Sequence, residues 1–137
     1  MHAQAIISTH PDVQDNVNSA LLHAIELCLD CAQTCTACAD ACIAEKDAGK
    51  LAQCIRLDLD CADLCKAAAM VASRRTGSNE RIVKGVIEVC AEACRLCAEE
   101  CERHAAHHEH CRICAEVCRE CQRACRAAGA SITTKHH

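Results

Sequence analysis

Residues 28–42 read CLDCAQTCTACADAC, with Cys28, Cys31, Cys35, Cys38 and Cys42 spaced alternately by three and four positions. An α-helix places side chains three and four apart on one face. The five thiols therefore form a single stripe, the seam that leucines fill in a helical bundle. Asp30, Gln33, Thr34 and Asp40 fall outside the seam and are expected to face outward. The pattern recurs. Cys90, Cys94, Cys97 and Cys101 form a second ladder, and Cys111, Cys114, Cys118, Cys121 and Cys125 a third. Cys54, Cys61 and Cys65 form a sparser one, with Asp58 where another cysteine would fall.

Four ladders require four helices, and the chain carries breaks in the right places. Pro11 separates a short N-terminal helical segment from the first long helix, and Gly49 is expected to end that helix. Gly77, with Ser78 and Asn79 as N-caps, divides the second from the third. Between the third and fourth, HAAHHEH has neither glycine nor proline, and the sign of a break is a slip in seam phase. Gly129 is expected to close the fourth helix. Short connections favour antiparallel neighbours. The expected fold is all-α: one domain over residues 1–137, an antiparallel up-down-up-down four-helix bundle with a cysteine-lined core. Running the helices alternately up and down brings the ladders to common heights. Leu21, Leu22, Ile25, Met70, Val71, Ile82, Val83 and Val86 collect at the bottom as an apolar plug. His104, His107, His108 and His110 collect at the top.

The composition demands an unusual core. The chain has 17 cysteines and no phenylalanine, tyrosine or tryptophan, and alanine and cysteine supply much of its 51% apolar content. Aromatic and large aliphatic side chains normally fill a domain of this size. A formal charge of −4 offers no electrostatic footprint for nucleic acid. The N-terminus has no basic n-region, apolar h-region or twin arginine, and no stretch approaches the roughly 20 apolar residues of a membrane span. The expectation is a cytoplasmic protein with no membrane partner. Thiols stay reduced in the cytosol, where clustered cysteines bind metals more often than they form disulfides. The odd count also forbids complete internal pairing.

Thiolates select soft metals: Cu(I), zinc or iron–sulfur clusters. Iron–sulfur cysteines come as one compact run, often followed by proline, whereas these runs continue as helix. Zinc wants a closed tetrahedron, which two thiols on adjacent helical turns supply only by half. A zinc-binding thiolate buffer resembling metallothionein therefore stays open, as does a copper-transfer or redox protein. Cu(I) fits more simply. It accepts two thiolates in near-linear geometry, so a C-x-x-x-C pair on one helix can hold an ion, and bridging thiolates extend the chain of sites. A buried thiolate charge must be neutralised, so a filled core approaches one Cu(I) per thiolate, on the order of 17 ions. That capacity points to storage rather than catalysis. A di-iron oxidase would need inward-facing Glu-x-x-His pairs, and no histidine has a glutamate three residues before it.

His104 and His108 lie three and seven positions after Cys101, which continues the third seam toward the upper opening, and His110 lies beside them. With Asp58 they are the expected intake ligands, placed before the thiols. His107 is off the seam, His2, His10 and His23 have no such placement, and His136 and His137 end a polar tail.

The four ladders and the HAAHHEHC turn resemble the copper storage proteins, specifically their cytosolic branch. The resemblance spans essentially the whole chain. It implies a four-helix bundle storing many Cu(I) ions inside, coordinated mainly by cysteine pairs, and assembly into a homotetramer. Copper ions are then the principal partner, with any donor or acceptor protein unspecified. The ladder cysteines carry over as ligands, while the departure is the second helix, with three cysteines and Asp58.

Overall fold

The first long helix begins at a built cap. Asn18 has extended backbone (φ −83°, ψ 103°), and its side-chain carbonyl accepts the Leu21 amide at 3.0 Å. This satisfies an amide the helix itself leaves unpaired. The Asn18 side chain also donates to Ser131 Oγ at 2.9 Å, tying the start of this helix to the end of the last. In the computed structural model, which describes residues 1–132, the helices are α1 (Ala3–Ser8), α2 (Ser19–Ala44), α3 (Ala52–Ser73), α4 (Glu80–His104) and α5 (Glu109–Ser131). α1 is the short N-terminal segment. The four long helices form the bundle: α2 and α4 each pack against both α3 and α5. Neighbours are antiparallel. Cys28 near the start of α2 meets Cys125 near the end of α5, and Cys42 near its end meets Cys111.

The connections depart from the expected breaks in instructive ways. α2 stops at Ala44, before Gly49, where Glu45 turns extended. A 3₁₀ turn, Ala48–Leu51, follows and buries Leu51 completely over the upper end of the core. Gly77 does sit in the left-handed region (φ 74°), which favours glycine. Asn79 occupies the N-cap of α4 without a side-chain cap bond, while Ser78 instead binds the Glu80 carboxylate. α5 runs through Gly129 to Ser131. A lone helix-interior glycine costs only about 1 kcal/mol, and this one is buried within the bundle. α4 ends at His104, so His108 does not continue its seam: it is the extended N-cap residue of α5 (φ −136°, ψ 112°).

At the lower end Leu21, Leu22, Ile25 and Val83 are buried and Val71 and Val86 pack at the margin, as expected. Met70 and Ile82 are not: they are 49% and 63% exposed. The α3 seam passes through Ala68 and Ala72, and the α4 seam through Val83 and Ile87. Met70 and Ile82 therefore lie one or two residues off phase, at about 100° per residue. Ala69, Ile87 and Ile132 complete the plug in their place. Asp30, Gln33 and Asp40 face solvent, and Thr34 is half-buried. One further expectation fails. By length and composition α2 is apolar enough to cross a membrane. Alanine and cysteine supply that apolarity, and its seam from Leu21 to Cys42 is turned into the bundle.

Candidate metal centre

All 17 cysteines are free thiols, and each is 2% exposed or less. The seams face one another, so the sulfurs stack along the bundle axis. From Cys28 to Cys42 the stack rises about 21 Å at 1.5 Å per residue. Deepest is the group Cys28, Cys90, Cys121 and Cys125. Above it come Cys31, Cys65, Cys94 and Cys121, then Cys31, Cys35, Cys61 and Cys118, then Cys35, Cys97, Cys114 and Cys118. The uppermost is Cys38, Cys42, Cys54 and Cys111, with Cys101 3.5 Å from Cys54. Within each group the ligand atoms lie within 4.8 Å of one another. The four deeper groups share members in succession, Cys31, Cys35, Cys118 and Cys121 each serving in two, and the uppermost is joined to them through Asp58, which accepts from Cys101, Cys97 and Cys114. A set of isolated tetrahedral sites would not share ligands; a continuous column of bridging thiolates would.

The thiols are electrically linked. Cys101 hydrogen-bonds Cys54 and holds it far below an ordinary thiol, down to about 3. At the same height burial pushes Cys42 up to about 12. Deep in the column, the Cys121 thiol donates to Cys28, lowering it to about 6. A first thiolate is welcomed because its neighbours donate to it, whereas the next is opposed by burial and like charge. Ionising the whole column requires cations inside it.

Asp58 is fully buried in α3. Its Oδ1 accepts from Cys97 at 3.0 Å, Cys114 at 3.3 Å and Cys101 at 3.5 Å. Its Oδ2 is buried without a partner, which costs on the order of 1–3 kcal/mol. Burial first, and the Cys114 charge next, push this carboxyl up to about 8. It is the single polar interruption of the α3 seam, between the upper thiols and the deeper ones.

The histidines divide by what their nitrogens touch. His110 Nδ1 faces the upper thiols, 3.5 Å from Cys38, 3.6 Å from Cys111 and 3.9 Å from Cys42. Its Nε2 lies 2.8 Å from Glu45 Oε2. His108 has carboxylates at both nitrogens, Glu45 at 2.8 Å and Asp47 at 3.1 Å, and the Asp47 hydrogen bond foremost raises its pKa. Its ring stacks on His110 with centroids 5.5 Å apart. His104 Nε2 lies 3.0 Å from Glu100 Oε2, and Glu100 also takes Arg103 at 3.1 Å. Thus the structure brings the 17 cysteines, Asp58 and His110 together, and sets His104 and His108 beside carboxylates. His136 and His137 lie outside the described residues.

Glu45, Asp47 and Glu100 escaped the sequence reading. A signal for the first two was present: in an up-down-up-down bundle the first and third connections share one end, so the EKD of residues 45–47 must meet HAAHHEH. Glu100 lies one residue off the cysteine seam and reads as an ordinary surface acid until its burial is known.

A sequence profile described as copper storage protein matches residues 17–130 of this chain. Among solved structures, the copper storage protein Ccsp from Streptomyces lividans, loaded with 10 copper equivalents, is 47% identical. It superposes with a TM-score of 0.90, over 93% of this chain and 98% of that one. Apo-Csp3, copper storage protein 3 from Bacillus subtilis, is 34% identical with a TM-score of 0.67, over 78% of this chain and 96% of that one. The uncharacterized cysteine-rich protein YhjQ of Bacillus subtilis strain 168 is 39% identical over 88 residues, 64% of this chain and 76% of that protein.

Proposed function

The chain belongs to the copper storage protein family, and from that premise we infer that it stores many Cu(I) ions inside its four-helix bundle. Storage is a binding role, not a catalytic one. The observation that carries the reading is the stack of 17 buried thiols, in which sulfur–sulfur contacts of 3.5 to 4.0 Å recur and Asp58 links the uppermost thiols to those below. Cys28, Cys31, Cys35, Cys38, Cys42, Cys54, Cys61, Cys65, Cys90, Cys94, Cys97, Cys101, Cys111, Cys114, Cys118, Cys121 and Cys125 are the ligands in this reading. Each arriving Cu(I) displaces a thiol proton and neutralises the thiolate left behind, so the column fills without accumulating buried charge. The sharing of cysteines between the four deeper groups lets an ion pass from one to the next by exchanging one ligand at a time, and Asp58 stands at the step from the uppermost group to them.

Cu(I) enters at the histidine end. His110 is the gateway ligand, because its Nδ1 already faces the uppermost thiols. His104 and His108 collect ions outside it with their carboxylate neighbours, His108 once an arriving ion displaces a proton from one of its two carboxylate-bound nitrogens. Asp58 contributes an oxygen within the column, where a cation would satisfy its unpartnered Oδ2. A zinc buffer would use the same thiols; family membership favours copper. The chain works in the cytoplasm, as the cytosolic copper storage protein from Streptomyces lividans does, a structure 50% identical to it. It assembles as a homotetramer. The exposed apolar residues Leu59, Met70, Ile82, Val89 and Leu96 are suited to contacts between copies.

Anaerobic titration of the reduced protein with Cu(I), against a strong chromophoric chelator, tests the storage reading. The expected endpoint is on the order of 17 equivalents per chain, one per thiolate. Saturation after a few equivalents would refute it.

A further inference from the structure

Glu45 follows α2 at its C-cap and stands beneath the turn that carries the histidines. Its Oε2 is 2.8 Å from Nε2 of His110. A carboxylate can only accept, so this nitrogen carries hydrogen. The neutral imidazole then keeps its lone pair on Nδ1, the atom that faces Cys38, Cys42 and Cys111. A thiol can donate, and Cys38 lies nearest at 3.5 Å, so Nδ1 is placed to accept from it, while Cys42 and Cys111 also hydrogen-bond each other. The opposite tautomer would turn an N–H toward the thiols and leave Nε2 facing a carboxylate with two acceptors and no hydrogen between them.

We propose that Glu45 is a positioning residue for copper intake, which fixes His110 in the Nε2–H tautomer and aims its unprotonated Nδ1 at the uppermost thiols. Partners of this kind on the far nitrogen of a ligating histidine set both its tautomer and its ring direction. His108 has a different part. Both its nitrogens donate to carboxylates, Nδ1 to Glu45 at 2.8 Å and Nε2 to Asp47 at 3.1 Å, so it offers no lone pair in this arrangement. Its ring, inclined 25° to that of His110, stacks on that ring and binds the same Glu45 oxygen. The proposal rests on the storage reading in one respect: that Cu(I) passes His110 on its way in.

The test begins without copper. Long-range ¹H–¹⁵N correlation spectra of the reduced apo protein, labelled at histidine, report the tautomer of His110 directly. The expected spectrum shows Nδ1 unprotonated and Nε2 protonated; an Nδ1–H signal in the unaltered protein overturns the proposal outright. Glu45→Met removes the acceptor at similar length, and Glu45→Gln keeps one. The expected result is that Glu45→Met shifts His110 toward the Nδ1–H form and slows uptake of the first Cu(I) equivalent about 10-fold. Glu45→Gln keeps the tautomer and stays close to the original rate. If Glu45→Met and Glu45→Gln slow uptake equally with the tautomer unchanged, Glu45 acts through its charge alone and the proposal fails. X-ray absorption at one copper equivalent adds a signature: a nitrogen neighbour in the original protein, weakened in Glu45→Met. Capacity at saturation, measured on the same samples, separates the two claims. A small capacity in the unaltered protein would refute storage while leaving the tautomer result standing.

Discussion

The two ends of the bundle are made by the same four helices with the same seam spacing, yet they are chemically opposite. The lower end is hydrocarbon: Leu21, Ile25, Val83 and Ile87 with Ala68 and Ala72, fastened by the hydrogen bond between Asn18 and Ser131. The upper end is soft and polar: five thiols, His110 and the carboxylates of Glu45 and Asp47. Burying a large aliphatic side chain is worth about 1.5–3 kcal/mol. A thiol packs as a small hydrophobe and contributes less. Cohesion is therefore concentrated at the closed end and exchange chemistry at the open one. The column between them needs little rigidity of its own, which suits sulfurs that must move as ions fill it.

Substitutions at each end sharpen this contrast. Ile87→Ala should produce the largest effect, a loss of about 2–5 kcal/mol in urea unfolding of the reduced apo protein. Copper capacity and uptake rate should stay as they were; a change in loading without a loss of stability would break the division. The middle of the column gives a pH signature. Asp58 is pushed up to about 8 in the fold, against about 3.9 in an unfolded chain. Between these values the folded protein holds a proton that the unfolded chain has lost, so this group lowers stability as pH rises from about 4 to about 8. Asp58→Asn should flatten that part of the profile, measured as urea midpoints of the apo protein at about pH 5 and about pH 8. An identical slope in both proteins would mean that the carboxyl does not titrate as described. His110→Ala should act the other way round from Ile87→Ala. Stopped-flow uptake of the first Cu(I) equivalent should slow about 10-fold, with stability changed by no more than about 0.5 kcal/mol. Equal uptake rates would remove His110 from the intake route.

Much of this architecture was legible because cysteine spacing carries two messages at once. The alternation of three and four residues in Cys28 to Cys42 specifies a helix, and the identity of the repeated residue specifies a metal-binding core. Helix ends were harder. Gly49 and Gly129 are helix-stopping residues on average, but α2 stops five residues before the first, with Leu51 buried just beyond it, and α5 carries the second, buried, within its last turn. The plug was read in outline, while Met70 and Ile82 show that hydrophobicity does not fix phase when the seam already holds alanine or isoleucine. The histidines illustrate the limit most clearly. Periodicity carried the α4 seam on to His108, yet α4 ends at His104, and His110 is the histidine that reaches the thiols. Which ring nitrogen faces which partner is decided between elements distant in sequence, here residues 45 and 110, and no local pattern encodes it.

The central claim is that the thiol column is occupied by copper along its whole length, from the histidine end to the plug. A crystal of the copper-loaded protein, with anomalous scattering recorded at the copper edge, tests it most directly. The account predicts a file of copper peaks inside the bundle, running from the level of Cys42 and His110 down to Cys28 and Cys125. Copper confined to the histidine end, or bound outside the bundle with the deep thiols empty at saturation, would contradict it.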